Sequence, residues 1–195
     1  RSGQDQDNDG DAITYTFTSD GNPGNLFAIH SATGQITLAA GQALDYENAN
    51  HRVIRLVVQA SDSNKTDQAT ITINVTDVDD NTLSLADSNS ATNTIAENAT
   101  AGDGVGVTAL GTDADHGTSI AYDFTSNPSD LFAIHATTGV ITLNGALDYE
   151  TAQSHTVKVR ATSTDSNGDS STTSKTLSIA VSDVNDISPV IHDQI

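Results

Sequence analysis

The stretch LFAIHSATGQITL at residues 26–38 recurs almost unchanged as LFAIHATTGVITL at residues 131–143, which lies 105 positions later in the chain. Two further segments repeat at nearly the same distance: ALDYE at 43–47 and 146–150, and VTDVDD at 75–80, which recurs as VSDVND at 181–186. A period of this length is that of a whole domain rather than of a solenoid unit. The 195-residue chain is therefore predicted to hold two copies of one domain.

The repeated segments also set the expected domain boundaries. We predict two repeats and the start of a linker to a following repeat: residues 1–81, residues 82–186 and residues 187–195. Tyr15 matches Tyr122, yet residues 83–112 of the second repeat have no counterpart upstream of Tyr15. The first repeat is therefore expected to lack its N-terminal strand.

Apolar residues alternate with polar ones in each repeat, as expected for strands with one buried face. The inward series are Ile54, Leu56 and Val58, then Ile71, Ile73 and Val75, and in the second repeat Val157, Val159 and Ala161, then Leu177, Ile179 and Val181. Gly34 and Gly139 each follow a Thr, at tight turns where positive φ favours glycine. No segment has a sustained helical period, so residues 45–49 and 148–152 are expected to form one helical turn at most. The pattern predicts an all-β fold of sandwiches.

Charge and composition exclude several classes of partner. The chain carries 26 acidic and 7 basic residues, a net charge of −19, which disfavours nucleic acid and anionic membranes. It has no cysteine, hence no disulfide framework or thiolate metal site, and no apolar run long enough for direct membrane insertion. Cations are the partners that such a charge favours.

The acidic residues gather in segments between the predicted strands. Aspartates that cap turns are one explanation for this placement, and metal ligands are the other. An EF-hand loop is excluded, because DQDNDG at residues 5–10 would require a bidentate Glu at the position of Thr16.

The order and spacing of the acidic segments resemble the cadherin repeat. The second repeat carries AEN at 96–98, DAD at 113–115, LDYE at 147–150 and DVND at 183–186, and the first repeat carries all of these motifs except AEN. The resemblance implies two tandem immunoglobulin-like Greek-key β-sandwiches that bind calcium between successive repeats. Asp79 departs from the family pattern, which has Asn at this position.

The resemblance also assigns the calcium ligands. At the junction of the repeats they are Asp45, Glu47, Asp77, Asp79, Asp80 and Asn81 from the first repeat, and Asp113, Asp115 and Asp165 from the second. An N-terminal half-site consists of Asp7, Asp9 and Asp62, and a C-terminal half-site consists of Glu97, Asp148, Glu150, Asp183, Asn185 and Asp186. Without metal, close carboxylates repel by about 1–4 kcal/mol per pair. The joint is therefore expected to be loose without calcium and stiff with it.

Two functions are compatible with these residues. The first is a calcium-dependent adhesion module of an extracellular or cell-surface protein. The composition of the chain resembles that of bacterial adhesins. The expected partners are neighbouring repeats, other copies of the chain or surface polysaccharide. The alternative is a polysaccharide-binding module of a secreted bacterial protein, although the four Tyr and four Phe pair off between the repeats and leave none for sugar stacking. An enzyme is not expected, because the acid pair Asp45 and Glu47 is duplicated at Asp148 and Glu150 and no catalytic motif occurs.

Overall fold

Strands make up nearly all the regular structure of this computed structural model, which describes residues 12–62 and 64–186. The chain separates into unit 1, residues 1–78, and unit 2, residues 79–195. The all-β fold predicted from the alternation is confirmed. Within the described ranges, no helix has both the length and the apolar character needed to cross a membrane.

Unit 1 forms two small sheets that enclose a modest core. Its elements are β1 (Thr14–Phe17), β2 (Phe27–Ile29), β3 (Ile36–Leu38), α1 (Ala49–Arg52), β4 (Val53–Ser61) and β5 (Thr66–Asn74). β4 lies between β1 and β5 in one sheet, and β2 pairs with β3 in the other. The buried core contains Leu26, Phe27, Ile54 and Leu56. Alternation thus placed the inward residues of β4 correctly.

Unit 2 has two four-stranded sheets. Its strands are β6 (Ser84–Asp87), β7 (Thr94–Ala96), β8 (Gly104–Thr112), β9 (Ser119–Ser126), β10 (Phe132–Ile134), β11 (Val140–Leu143), β12 (Ser154–Thr164) and β13 (Ser170–Ser182). One sheet has the order β10-β11-β8-β6 and the other β7-β13-β12-β9, with β7 and β13 parallel. Val105, Val107, Ile141, Val159 and Ile179 are buried between them. The second repeat is therefore a complete sandwich.

The strands from β9 onward repeat those of unit 1 in order. Strands β6, β7 and β8 have no counterpart among the described residues of unit 1, as the unmatched segment 83–112 predicts. The burial predicted for one side chain of β5 is therefore wrong. Ile71, predicted to face a buried core, is 39% exposed, whereas the equivalent Leu177 is 7% exposed. The described residues of unit 1, 12–62 and 64–78, contain no strand in the place of those that cover Leu177 in unit 2.

The two glycine turns agree with the prediction, whereas the helical turn of unit 1 shares only its first residue with the predicted stretch 45–49. Gly34 and Gly139 have φ of 68° and 70°. The helical turn of unit 1 begins at Ala49, at the end of the predicted stretch, because the Asn48 side chain accepts a hydrogen bond from the N–H of Asn50 at 3.1 Å. In unit 2, residues 148–152 form a single turn, closed by a 2.9 Å hydrogen bond between the first and last residues.

Candidate metal centres

The first candidate centre lies at the end of unit 2 where β8 and β12 finish. Asp113 and Asp115 follow β8 and Asp165 follows β12, so strands from two sheets bring the three carboxylates to one narrow cleft. Asp79, the first residue of the unit, also lines the cleft. The remaining lining residues are Thr118, Ser163 and Asp169. Four carboxylates predicted as ligands are thus neighbours within one unit.

Asp115 is buried and organises the segment that enters unit 2. Its Oδ1 accepts hydrogen bonds from the backbone N–H of Asp80 at 3.3 Å, the N–H of Asn81 at 3.2 Å and the Asn81 Nδ2 at 2.9 Å. Burial acts to raise the pKa of Asp115, but the hydrogen bonds from Asn81 outweigh it and lower that pKa below its ordinary value. The carboxylate is therefore held in its charged form.

Asp79 is the carboxylate that responds to this concentration of charge. Burial, a hydrogen bond with Asp115 and the negative charges of Asp115, Asp113 and Asp165 together raise the pKa of Asp79. A raised pKa means that the fully ionised cluster is unfavourable without a compensating cation. The electrostatics thus favour binding of a cation, or a proton, in the cleft.

The two carboxylate oxygens of Asp165 differ in their hydrogen bonding among the described residues. Its Oδ1 accepts hydrogen bonds from the backbone N–H groups of Asn167 at 2.8 Å and Asp169 at 2.9 Å. Its Oδ2 is buried and has no hydrogen-bond partner among the described residues, and the same is true of the Ser163 Oγ in the cleft. Buried polar atoms without a partner are costly, and a cation satisfies oxygen atoms of both kinds.

The second candidate centre also belongs to unit 2. One oxygen each from Glu97, Asp148 and Glu150 lie within 4.8 Å of one another. Glu97 is buried, and its two oxygens accept hydrogen bonds from the backbone N–H of Tyr149 at 2.7 Å and of Val184 at 2.6 Å. The glutamate after β7 therefore ties the turn at 148–152 to the segment that follows β13.

The two other carboxylates of the second centre differ in their pKa. The hydroxyl and the N–H of Thr151 donate to Asp148 and lower its pKa. For Glu150, its own backbone N–H lowers the pKa, but burial and the charges of Glu97, Asp186 and Asp183 raise it by more. The C-terminal acids Asp183 and Asp186 thus act on this cluster, and Asn185 between them is exposed.

In unit 1, two predicted ligands cap turns. The Asp45 Oδ1 accepts hydrogen bonds from the N–H of Glu47 at 2.9 Å and of Asn48 at 3.3 Å. The Asp62 Oδ1 accepts two bonds of 2.6 Å from the backbone N–H groups two and three residues later. Turn capping, the alternative explanation for loop aspartates, therefore applies to both residues and leaves their second oxygens for other ligands.

The remaining predicted ligands are less defined. Both carboxylate oxygens of Asp77 are shielded from solvent and have no hydrogen-bond partner in the described ranges. Asp7 and Asp9 lie outside the described residues.

Two residues of the cleft, Ser163 and Asp169, were not predicted from the sequence. Ser163 continues the inward alternation of β12 after Ala161, and a polar residue at the end of such a series was the available signal.

Comparison with known proteins identifies relatives over most of the chain. The model of the cadherin domain family matches residues 2–76 and 92–182. Human protocadherin Fat 4 is 38% identical over 152 residues, which cover 76% of this chain and 3% of that protein. Mouse cadherin EGF LAG seven-pass G-type receptor 2 is 34% identical over 177 residues, which cover 91% of this chain and 6% of that protein. The chain thus spans only 3% and 6% of the lengths of these two relatives.

Solved structures have the same fold. The EC1-2 structure of human protocadherin-24, form II, has a TM-score of 0.71 and 26% identity, covering 92% of this chain and 85% of that one. The protocadherin gammaB7 EC3-6 cis-dimer structure has a TM-score of 0.77 and 26% identity, covering 92% of this chain and 42% of that one.

Proposed function

We propose a function for this chain, which belongs to the cadherin domain family. Its two units are calcium-dependent adhesion modules of an extracellular or cell-surface protein. Domains of this family mediate calcium-dependent adhesion in cell-surface proteins, and adhesion proteins of the family are generally not enzymes. The similar protocadherin gammaB4 structure is that of an extracellular domain. A bacterial source stays a prediction from composition, since the relatives named above are human and mouse proteins.

The observation that carries the proposal is the buried Oδ2 of Asp165. It has no donor among the described residues, although it lines a cleft with Asp79, Asp113 and Asp115. Leaving such an oxygen unpaired costs about 1–3 kcal/mol, and more when it is charged. Carboxylate and hydroxyl oxygens are the ligands that calcium prefers, so this donor set fits the ion.

A bound calcium ion would supply the positive charge that offsets the repulsion among the carboxylates of the cleft. Asp113, Asp115, Asp165 and Asp79 would hold it in unit 2. Because Asp115 also binds the backbone of the segment entering the unit, loading the cleft is expected to order that segment.

The ligand sets that stem from the family resemblance extend this proposal. The calcium site at the junction of the two repeats would also include ligands from the first repeat: Asp45, Glu47, Asp77, Asp80 and Asn81. Asp62, with Asp7 and Asp9, serves a preceding repeat. Glu97, Asp148 and Glu150, with the C-terminal acids, serve a following repeat. The partners are then neighbouring repeats and other copies of the chain.

Thermal unfolding with and without calcium tests the proposal. A concentration of about 5 mM lies above the dissociation constants of about 0.1–1 mM typical of extracellular modules, so each site should add about 1–2 kcal/mol. We expect the unfolding midpoint to rise by roughly 5–15 °C over the value in excess EDTA. Titration calorimetry should show saturable binding of calcium.

A matched pair of variants separates ligand loss from general charge effects. Asp113→Asn with Asp115→Asn should remove most of the calcium-dependent rise of unit 2. Asp20→Asn with Asp67→Asn removes the same charge from exposed positions of unit 1 and should leave the rise intact. An unchanged midpoint in calcium for the wild-type chain would show that the acids only cap turns, and the proposal would be withdrawn.

Polysaccharide binding is the second candidate function, and one pocket favours it. Unit 1 has a pocket of about 580 Å³ with apolar walls at Leu26 and Ile54 and polar groups from Asn48, His51 and Arg55. Amide, imidazole and guanidinium groups suit sugar hydroxyls and the carboxylates of acidic sugars.

A glycan array in calcium tests the second candidate. Saturable binding that Arg55→Ala weakens at least tenfold would support it, with Arg160→Ala in unit 2 as the control for loss of one positive charge. Calcium-dependent aggregation of beads coated with the chain, without glycan binding, would instead support adhesion between copies.

A further inference from the structure

The turn after β12 contains an asparagine followed by a glycine, a sequence that favours spontaneous deamidation. Asn167 and Gly168 are both exposed, and the Asn167 side-chain amide has no hydrogen-bond partner among the described residues. The Gly168 N–H donates to the Asp165 carbonyl oxygen over a long 3.3 Å. Gly168 has φ of +93°, and a Cβ at this position would have no heavy atom within 4 Å. The Gly168 nitrogen is therefore open to the Asn167 amide carbon, and glycine gives the backbone the freedom to bring the two atoms together.

A second asparagine that precedes a glycine is held in place. The Asn144 Nδ2 donates to the Asp130 carbonyl oxygen at 2.9 Å, and the Gly145 N–H donates to the Leu131 carbonyl oxygen at 3.1 Å. Both groups that would have to react are thus engaged with the same neighbouring segment. Asn144 is therefore an internal control with the same sequence but a restrained side chain.

Unit 1 supplies a control with the same position but another sequence. Asn64 lies two residues after Asp62, as Asn167 lies two residues after Asp165. The residue that follows Asn64 is Lys65, whose side chain restricts the backbone and hinders approach to its nitrogen. The same loop position is therefore expected to be far less reactive in unit 1.

We propose that Asn167 is a site of spontaneous deamidation that modifies the candidate metal centre of unit 2. The Gly168 nitrogen attacks the Asn167 side-chain carbonyl carbon, and the amide nitrogen leaves as ammonia with the proton of the Gly168 N–H. Water then opens the five-membered ring. Attack of water at the side-chain carbonyl gives aspartate. Attack at the main-chain carbonyl gives isoaspartate, in which the backbone runs through the former side chain.

Isoaspartate at residue 167 would loosen Asp165, a consequence that rests on the proposed calcium site. The Asp165 Oδ1 accepts hydrogen bonds from the N–H groups of Asn167 at 2.8 Å and Asp169 at 2.9 Å. The rearranged bond lies between these two donors, and the backbone there gains one carbon atom, so the two N–H groups can no longer both donate to this oxygen. The new carboxylate is exposed and screened by solvent, whereas a hydrogen bond lost from a buried carboxylate is not replaced. We expect calcium to bind the cleft about tenfold more weakly.

The test incubates the chain in EDTA at mildly alkaline pH, which favours loss of the Gly168 N–H proton, and follows each asparagine by peptide mass spectrometry. We expect residue 167 to deamidate at least tenfold faster than Asn144 and Asn64, with isoaspartate and aspartate as products. After removal of EDTA, titration calorimetry compares the isoaspartate fraction with the fresh chain. Asn167→Asp carries the same added charge on an ordinary backbone and should bind calcium as the fresh chain does.

Asn167→Ser cannot deamidate at this position and should keep its calcium affinity through the same incubation. An equal loss of affinity in this variant would place the damage elsewhere and overturn the proposal. Deamidation of Asn144 or Asn64 as fast as that of Asn167 would overturn the assignment of the site, and unchanged calcium binding by the isoaspartate fraction would overturn its consequence. If the fresh chain bound no calcium, the proposed function would fail, and the order of rates at the three asparagines would still decide the modification site.

Discussion

Gly139→Ala is expected to lower the free energy of unfolding of unit 2 by about 2–5 kcal/mol, the sum of left-handed backbone strain and overpacking. Gly139 has φ of +70°, and a Cβ at this position would overlap the carbonyl oxygen of Ala109 on β8. The turn cannot move away easily, because the N–H of Ala109 donates to the Gly139 oxygen at 2.9 Å. Urea unfolding in calcium, monitored by circular dichroism, measures the loss.

Gly168→Ala is the matched control for the backbone term alone. Gly168 also has positive φ, +93°, but a Cβ there would have no heavy atom within 4 Å. Its expected cost is about 1–2 kcal/mol, from strain without a clash. Equal losses in the two variants would mean that contact between the β10–β11 turn and β8 is unimportant.

Asp165→Asn is expected to change stability in opposite directions with and without calcium. In EDTA the amide can place its NH₂ group at the Oδ2 position, where it donates to neighbouring carboxylates, and the Asn oxygen keeps the bonds from Asn167 and Asp169. The variant should then be more stable than wild type by about 1–2 kcal/mol. In calcium it loses a charged ligand and should be less stable than wild type.

Asp67→Asn removes one charge from the exposed part of β5 and controls for net charge, which is −19 in the wild type. Its effect should be small and of the same sign in EDTA and calcium. If Asp165→Asn behaved like this control, its buried oxygen would have no role in metal binding. Thermal unfolding of both variants under the two conditions is sufficient to decide.

The sequence predicts the strands well because the repeat displays each pattern twice. Ile54 and Leu56 are buried as their alternation indicates, and Gly34 and Gly139 have the positive φ that their turns require. Alternation identifies the inward face of a strand, but it does not identify what covers that face. The exposure of Ile71 depends on strands that unit 1 does not contain among its described residues, so its own neighbours in sequence could not predict it.

The candidate site is predictable in its charges and less so in its uncharged parts. Asp113, Asp115 and Asp165 come from motifs that the family resemblance identifies, and unit 2 brings them together. Ser163 occupies an inward position of β12, where the pattern alone indicates core packing. Its hydroxyl has no hydrogen-bond partner in the described part of the chain, which is apparent only when the ends of β8 and β12 are seen to form one cleft.

The parallel pairing of β7 with β13 has a mechanical consequence. Tension that reaches these two strands from opposite ends of unit 2 acts along their length, so their hydrogen bonds are loaded together rather than opened one after another. Two further hydrogen bonds extend the loaded region beyond the strands: the Glu97 N–H donates to the Ser182 carbonyl oxygen at 3.1 Å, and the Val184 N–H donates to the Glu97 carboxylate at 2.6 Å. A unit pulled in this direction should resist extension until the hydrogen bonds between β7 and β13 break together.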